Sequence, residues 1–317
     1  MTEPGGPALA VATLETDLDG ALALGRRALA WTEANARPLL ASASFSGEAL
    51  VLGSLQREDT LRVRSSARFD VRVARRFSTG TEAQLSGAVL YHALALPRVD
   101  ALYSDATART LLNRNLRALL RGYTAAGVPL RYFGTEVLAL LGHPVALVGY
   151  DQTASGAVLI EVLVGLENPC VVRPALKREP PAALYSVLRQ SPPAHDFLCK
   201  AVNGVVDRLG ATPVDVAAAL PVTPGATESL PSAAVASVSI PLGVVEAAFT
   251  PDVRISGDLL VGRAALRSFE QRATEAFAKG AEPSADWLTL LDGAPLDGAR
   301  PADLLQAVAL TVPAAPH

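Results

Sequence analysis

Apolar residues recur from Asp17 to Ala34 at Leu18, Ala21, Leu22, Leu24, Ala28, Leu29 and Trp31, which is the spacing of one helical face. Pro38 limits that helix. The pattern then changes period. Pro38 to Phe45 and Ala49 to Gly53 predict two strands around a Ser46-Gly47-Glu48 turn. Leu61 to Val73 alternates apolar and polar residues and predicts another strand. Ala88 to Leu96 predicts a strand stopped by Pro97. A helix is predicted from Ser104 to Ala126, with Ser104 as its N-cap and Asp105 at the positive end of its dipole. Leu111, Leu112, Leu116, Leu119, Leu120 and Tyr123 form its apolar stripe, and Gly127 and Pro129 end it.

Three strands follow, Glu136 to Leu141, Val145 to Tyr150 and Ala157 to Val164, with turns at Gly142-His143-Pro144 and Ser155-Gly156. His195 to Leu209 reads as a helix. Ala211 to Ala233 is rich in Pro, Ala, Thr and Ser and reads as a linker. Beyond it, Val235 to Thr250 and Asp252 to Leu260 are strand-like. Ala264 to Ala278 is helical by its Leu266, Phe269, Ala273 and Phe277 spacing, and a last helix begins in Ala299-Arg-Pro-Ala-Asp. Helices resting on several antiparallel strands make the fold class α+β, with a mixed or antiparallel sheet. The expected organisation is a large domain over 1–212, a linker over 213–233 and a small accessory domain over 234–317.

Composition removes several function classes. The 317 residues carry a net charge of −3 and 19% charged side chains, with no polybasic run, so nucleic acid and anionic membranes are not expected partners. No apolar stretch is long enough to span a bilayer. The N-terminus has no basic n-region, and the two cysteines, Cys170 and Cys199, form no disulfide framework, so a reducing cytoplasm is the expected compartment. The four histidines are too dispersed for a metal site. Glu161, Glu246, Asp252 and Asp258 are single carboxylates with no visible partner. The first lysine is Lys177, so arginine alone supplies cations before it.

The most informative stretch is RRFSTGTEAQLSGAVLYH, Arg75 to His92. With Leu52-Gly-Ser-Leu-Gln56, Gly142-His-Pro-Val-Ala-Leu-Val-Gly149, Ala154-Ser-Gly-Ala-Val-Leu-Ile-Glu161 and Ile255-Ser-Gly-Asp258, it resembles, in order and spacing, the motifs of the lipoate–protein ligase family. These are relatives of biotin–protein ligases and octanoyltransferases. The resemblance implies a mixed sheet with helices on one side and an accessory domain. It also implies chemistry in which lipoate or octanoate attacks ATP, and a lysine of a lipoyl-type carrier domain then takes the acyl group from the adenylate. Such an adenylate needs cations and close backbone N–H groups, which glycines permit. The acyl carbonyl needs an electrophilic partner, and the family uses a lysine.

The ungapped register puts Arg75-Arg76-Phe77-Ser78 on the family's Arg-Arg-x-Ser, Thr79-Gly80-Thr81 on its glycine triplet, Leu85 on its histidine, Ser86 on its aspartate and Gly87 on the next glycine. A gapped register would instead place His92 on the histidine. The resemblance therefore implies Arg75, Arg76, Ser78, Gly80, Gly87, Gly149, Ser155 and Gly156 as ligand-binding positions. Two departures stand out. The triplet keeps one glycine and is followed by Glu82, a carboxylate that would repel an anion. Nothing between Gly142 and Gly149 can supply a permanent cation. Cys170, with Arg173, Lys177 and Arg178 nearby in sequence, is the candidate nucleophile, because some octanoyltransferases use a cysteine.

Three readings follow. In one, a ligase-like chain lacks adenylate formation and binds a ligand. In another, the same surface serves a protein partner. In the third, a lipoyl or octanoyl ligase or transferase is active through a reorganised site that uses Arg76 and Cys170.

Overall fold

The computed structural model describes residues 9–173, 179–213, 236–249, 251–292, 294 and 296–311. The predicted linker falls almost wholly at 214–235, outside the described residues. Asp17 caps helix α1 (Leu18–Asn35) by accepting the Gly20 N–H at 2.8 Å. A strand that the sequence pattern did not predict, β1 (Ala10–Glu15), precedes it and pairs in parallel with β2 (Leu39–Ser46). Beside these lies a small sheet of β3 (Ala49–Leu52), β4 (Val73–Arg75) and β5 (Ala83–Leu85).

Between β3 and β4, the strand expected over Leu61 to Val73 is overturned. Glu58–Arg64 is helix α2. Leu61 is its one buried residue, and Arg62 pairs with Glu58 one turn back, an i,i+4 pair that period-2 reading cannot see.

The large sheet continues with β6 (Ala88–Leu96), β7 (Arg131–Tyr132), β8 (Val137–Leu140), β9 (His143–Gln152), β10 (Val158–Gly165) and β11 (Thr212–Pro213). Its order is β11-β1-β2-β6-β10-β9-β8-β7. The sheet is mixed: β1 runs parallel to β2 and β11, and the β2-β6-β10-β9-β8-β7 pairs are antiparallel.

Three further helices fill the same part of the chain: α3 (Leu111–Ala125), α4 (Leu184–Leu188) and α5 (Ala194–Leu209). Ser104 does not cap α3. A 3-10 turn, Ala108–Thr110, leads into it through reciprocal Thr107 and Thr110 contacts. Side-chain alternation along β6 sends Tyr91 and Ala93 to one core with α1, and Leu90, Leu94 and His92 to the face where α3 and α5 pack. Helices therefore cover both faces, where one side had been expected.

The C-terminal segment forms a hairpin of β12 (Ala236–Ile240) and β13 (Gly243–Phe249) and then β14 (Val253–Gly257). The single strand-like run Val235 to Thr250 is thus two strands about Pro241-Leu242. The chain ends with β15 (Leu260–Val261), α6 (Arg263–Phe277), β16 (Leu296–Asp297) and α7 (Pro301–Ala309).

His92 is buried between Ser42 and Tyr123, with Nδ1 2.9 Å from the Ser42 hydroxyl and Nε2 2.8 Å from the Tyr123 hydroxyl. Burial pushes its pKa down to about 3. The unfolded imidazole titrates near ~6.5. Between these values the unfolded chain binds the extra proton, so stability falls as pH falls, by about 1.4 kcal/mol per pH unit. Urea unfolding at pH 7.5 and pH 5 is expected to show a gap about 2 kcal/mol narrower in His92→Gln than in the wild type. An unchanged gap would mean that His92 is not held neutral.

Candidate functional site

Arg75 to Gly87 leaves β4, turns through Ser78-Thr79-Gly80 and returns along β5. Its polar groups face the protein. Arg75 donates to the carbonyls of Gly53 (2.7 Å) and Gln56 (2.6 Å) and so holds the loop after β3. Arg76 is 1% exposed, and its Nη2 donates to the carbonyls of Thr79 (3.1 Å) and Thr81 (3.0 Å). Of the charges around it, Glu161 favours its ionised form most strongly. That carboxylate accepts the Ser78 N–H at 2.7 Å and the Tyr91 hydroxyl. The hydroxyl of Thr79 bonds the Tyr150 carbonyl (2.7 Å) and receives the Val261 N–H (3.1 Å), which ties the turn to the C-terminal segment.

The space beside Arg76 and Gly80 is filled. A Cβ on Gly149 would overlap the Ser78 hydroxyl and the Thr79 carbonyl oxygen, and a Cβ on Gly53 would overlap the Gly80 carbonyl oxygen. Three backbone segments meet there in close contact. Gly53→Ala is expected to cost about 2–3 kcal/mol by overpacking, read as a lower urea midpoint at unchanged m-value. A loss below about 0.5 kcal/mol would show that the segments can separate.

The other implied positions are scattered. Gly87 sits at φ +72° against Glu167. Ser155 donates to Glu33 at 2.6 Å on the exposed turn between β9 and β10, and Gly156, at φ +90°, only shapes that turn. His143 bonds the Pro180 carbonyl at 3.0 Å. Val145, Ala146, Leu147 and Val148 of β9 are buried in the sheet. Glu82 does not face a ligand: it accepts from Gln56 (2.8 Å), Ser65 (2.6 Å) and Arg173 (3.0 Å).

Cys170 is corrected as a nucleophile. It is 1% exposed, and its thiol donates to the carbonyls of Leu163 (3.5 Å) and Val145 (3.6 Å). Burial pushes its pKa up to about 11, which keeps it protonated. Arg173 turns to Glu82 and Asp258 instead, and Lys177 and Arg178 lie outside the described residues. The other thiol, Cys199, lies 3.4 Å from His195 Nε2 on α5, away from this loop.

What is open is a cleft of about 910 Å³ on the outer side of Arg75-Arg76-Phe77. Its walls come from α1, the strand ends of the small sheet, the β9–β10 turn and the start of α6. Arg26, Arg72, Arg75, Arg76, Arg263 and Arg267 line it, against Asp19, Glu58 and Asp151. Six arginines against three carboxylates leave the lining net positive even with the interior Arg76 set aside. Two of the carboxylates are matched directly, Asp19 by Arg72 at 2.5 Å and Asp151 by Arg263 through two side-chain bonds. Arg26 and Arg263 stand over the Phe77 ring at 5.0 and 4.3 Å. Among the described residues, Arg76 Nε and Nη1 and the Ser78 hydroxyl are buried without hydrogen-bond partners. Sequence reasoning found Arg75 and Arg76 but missed Arg26, Arg72, Arg263, Arg267 and Asp151. A signal existed for Arg263 and Arg267, which stand four apart at the start of a helix.

The P. falciparum protein LipL1, solved with lipoate, superposes with a TM-score of 0.54 over 80% of this chain and 86% of its own, at 11% identity. The chain has the lipoate–protein ligase fold. Two further lipoate–protein ligase structures are similar to lesser degrees. The bipartite ligase of Thermoplasma acidophilum, solved with its E2 lipoyl domain, gives a TM-score of 0.48 at 11% identity, over 66% of this chain and 88% of its own. A lipoate–protein ligase A bound with ATP gives 0.47 at 14% identity, over 67% and 90%. No family profile and no curated protein matches the sequence. Among the described residues no helix is long and apolar enough to cross a membrane, and no group of His, Cys, Asp and Glu could hold a metal ion.

The residues of this lipoate-ligase fold do not fit an acyl adenylate in the manner that the sequence resemblance implied. No lysine stands in β9, and the turn at Gly80 is packed against Gly53 and Gly149.

Proposed function

We propose that this chain is a lipoate-ligase-fold binding protein that holds an anionic ligand in the arginine-lined cleft and forms no acyl adenylate. The observation that carries this reading is the pairing of a filled acyl position beside Arg76 and Gly80 with an open cleft whose walls are net positive. An adenylating site needs a cation at the acyl carbonyl in a dry slot. Ala146, Leu147 and Val148 cannot supply one, and arginine is not an isosteric exchange for an ammonium.

The partner is then a small anionic ligand, and docking of a lipoyl-type carrier domain is not part of the reading. A transferase working through Cys170 is opposed by the burial and high pKa of that thiol.

The test is direct. Purified protein given ATP with lipoate or octanoate is expected to release no pyrophosphate above the no-enzyme control and to leave a lipoyl-type carrier domain unmodified. Pyrophosphate release that depends on the acid, or an acylated carrier, would end this reading.

A further inference from the structure

Away from the cleft, the other face of the large sheet carries a thiol of a different kind from Cys170. Helix α5 places His195 and Cys199 at i and i+4, so their side chains stand on one side of the helix. His195 Nε2 lies 3.4 Å from Cys199 Sγ, and its Nδ1 lies 3.4 Å from the Ser44 hydroxyl on β2. Ser44 is buried, so the sheet fixes its position. In the tautomer whose Nδ1–H donates to Ser44, the Nε2 lone pair faces the thiol. That is the order of a nucleophile, its base and the group that orients the base.

Cys199 is half-buried, where Cys170 is closed off. It opens on a hollow of about 410 Å³ that Asp196, Lys200, Asn203 and Asp207 also line. Two carboxylates against one ammonium make that lining net negative. Residues of α5 belong to the core shared with α3, and Cys170 belongs to the core shared with α1, so the sheet stands between the two thiols. The chain has no third cysteine. A disulfide formed at Cys199 therefore meets no second thiol of the chain that could displace the group it takes up.

We propose that Cys199, with His195 as its base and Ser44 as a positioning residue, is a thiol-exchange site for the disulfide of a small aminothiol that bears an ammonium group. The site is separate from the arginine-lined cleft, and either reading can fail alone. The Cys199 S–H proton passes to His195 Nε2, and the sulfur attacks one sulfur of the ligand. A new S–S bond forms to Cys199 as the ligand's own S–S bond breaks. The leaving sulfur keeps the electron pair, takes the proton from His195 and departs as a free thiol. Cys199 is oxidised, half of the ligand is reduced, and no other oxidant is needed. Asp196 and Asp207 favour a ligand with ammonium groups over one with carboxylates.

Cystamine, added to the reduced full chain at neutral pH and followed by intact mass, tests this. One adduct is expected, mapped to Cys199 and absent in Cys199→Ser. The folded thiol should react faster than the same thiol in the urea-unfolded chain, although it is less exposed. His195→Ala is expected to slow the reaction at least ~10-fold, and added imidazole to return part of the rate, which a purely structural histidine would not allow. Ser44→Ala should slow it ~3-fold, with Ser44→Thr close to the wild type. Dithiodipropionate, the anionic counterpart of cystamine, should react at least ~5-fold more slowly, and the gap should narrow in Asp196→Asn/Asp207→Asn.

An adduct on Cys170 alone, a folded thiol slower than the unfolded one, an unchanged rate in His195→Ala, or equal rates for the two disulfides would each overturn the proposal. Circular dichroism and the urea midpoint check that each variant folds. Where a histidine variant does not, the folded-against-unfolded and two-disulfide comparisons on the wild type decide.

Discussion

Replacing Arg76 by methionine is expected to lower unfolding stability by about 3–5 kcal/mol, among the largest losses a single change in this chain should produce. The side chain is wholly interior, and its charge faces Glu161, which is itself 0% exposed. Methionine has similar length but leaves that carboxylate without its cation and leaves the Thr79 and Thr81 carbonyls without their donor.

A second replacement separates charge from packing. Arg76→Met combined with Glu161→Gln should recover a good part of the loss, because a buried pair removed together costs far less than one partner removed alone. Urea unfolding of the wild type, both single variants and the double variant closes the cycle. A loss below about 1 kcal/mol for Arg76→Met would mean that the arginine is held by the turn alone and is not tied to Glu161. The result also bears on the fold's site. An arginine that holds the Thr79 and Thr81 carbonyls of the turn after β4 is first a strut.

Much of this fold was legible because it depends on local pattern. The apolar stripe of α1 and the apolar runs of β6 and β10 are written in consecutive residues, and each element was found in place. Three failures share a cause. The β1 strand is short, and it owes its place to parallel partners at β2 and β11, the second some two hundred residues away. Helix α2 buries one leucine, too few to set a period. Ser104 looked like an N-cap because its type is right, while the turn Thr107–Thr110 fixes the start.

The site divides in the same way. Arg75, Arg76 and the order of motifs were readable along the chain. The roles of those residues were not, since they are set by Glu161, Gly53 and Gly149 arriving from other strands. Glu161 and Asp258 had no visible partner in sequence, and both turn out to organise buried networks. Arg26 and Arg267 converge on one cleft from opposite ends of the chain, which periodicity cannot reveal.

Asp258 carries the second large expectation: Asp258→Ala should cost about 3–5 kcal/mol. The carboxylate is 0% exposed and accepts from Gln56 at 2.6 Å, from Arg64, from the Val244 N–H at 3.0 Å and, at 3.5 Å, from Arg173. Arg173 and Gln56 also donate to Glu82, so two acids and two arginines from four segments form one network. Alanine would leave those donors facing an apolar methyl group. The network joins the C-terminal segment to the turn after Gly80. Its loss should therefore uncouple the two, giving probe-dependent urea transitions where the wild type gives one.

The acid response follows from Glu82. Burial pushes its pKa up, but the bonds from Arg173, Ser65 and Gln56 outweigh that and hold it below the ordinary value. The folded chain therefore releases this proton more readily than the unfolded one. The stabilisation is fully present above the unfolded value of about 4.3 and is lost as pH falls through the folded one. Glu82→Gln should remove that part of the acid limb while keeping the Gln56 and Ser65 contacts in neutral form. A Glu82→Gln/Arg173→Met cycle with coupling below about 0.5 kcal/mol would show that the pair is too solvated to act as a latch. The expected coupling is about 1–3 kcal/mol, because Glu82 is 1% exposed and Arg173 less than a third. What looked in sequence like a carboxylate obstructing an anion site is, on this geometry, part of the network that ties the turn after Gly80 to the C-terminal segment at Asp258.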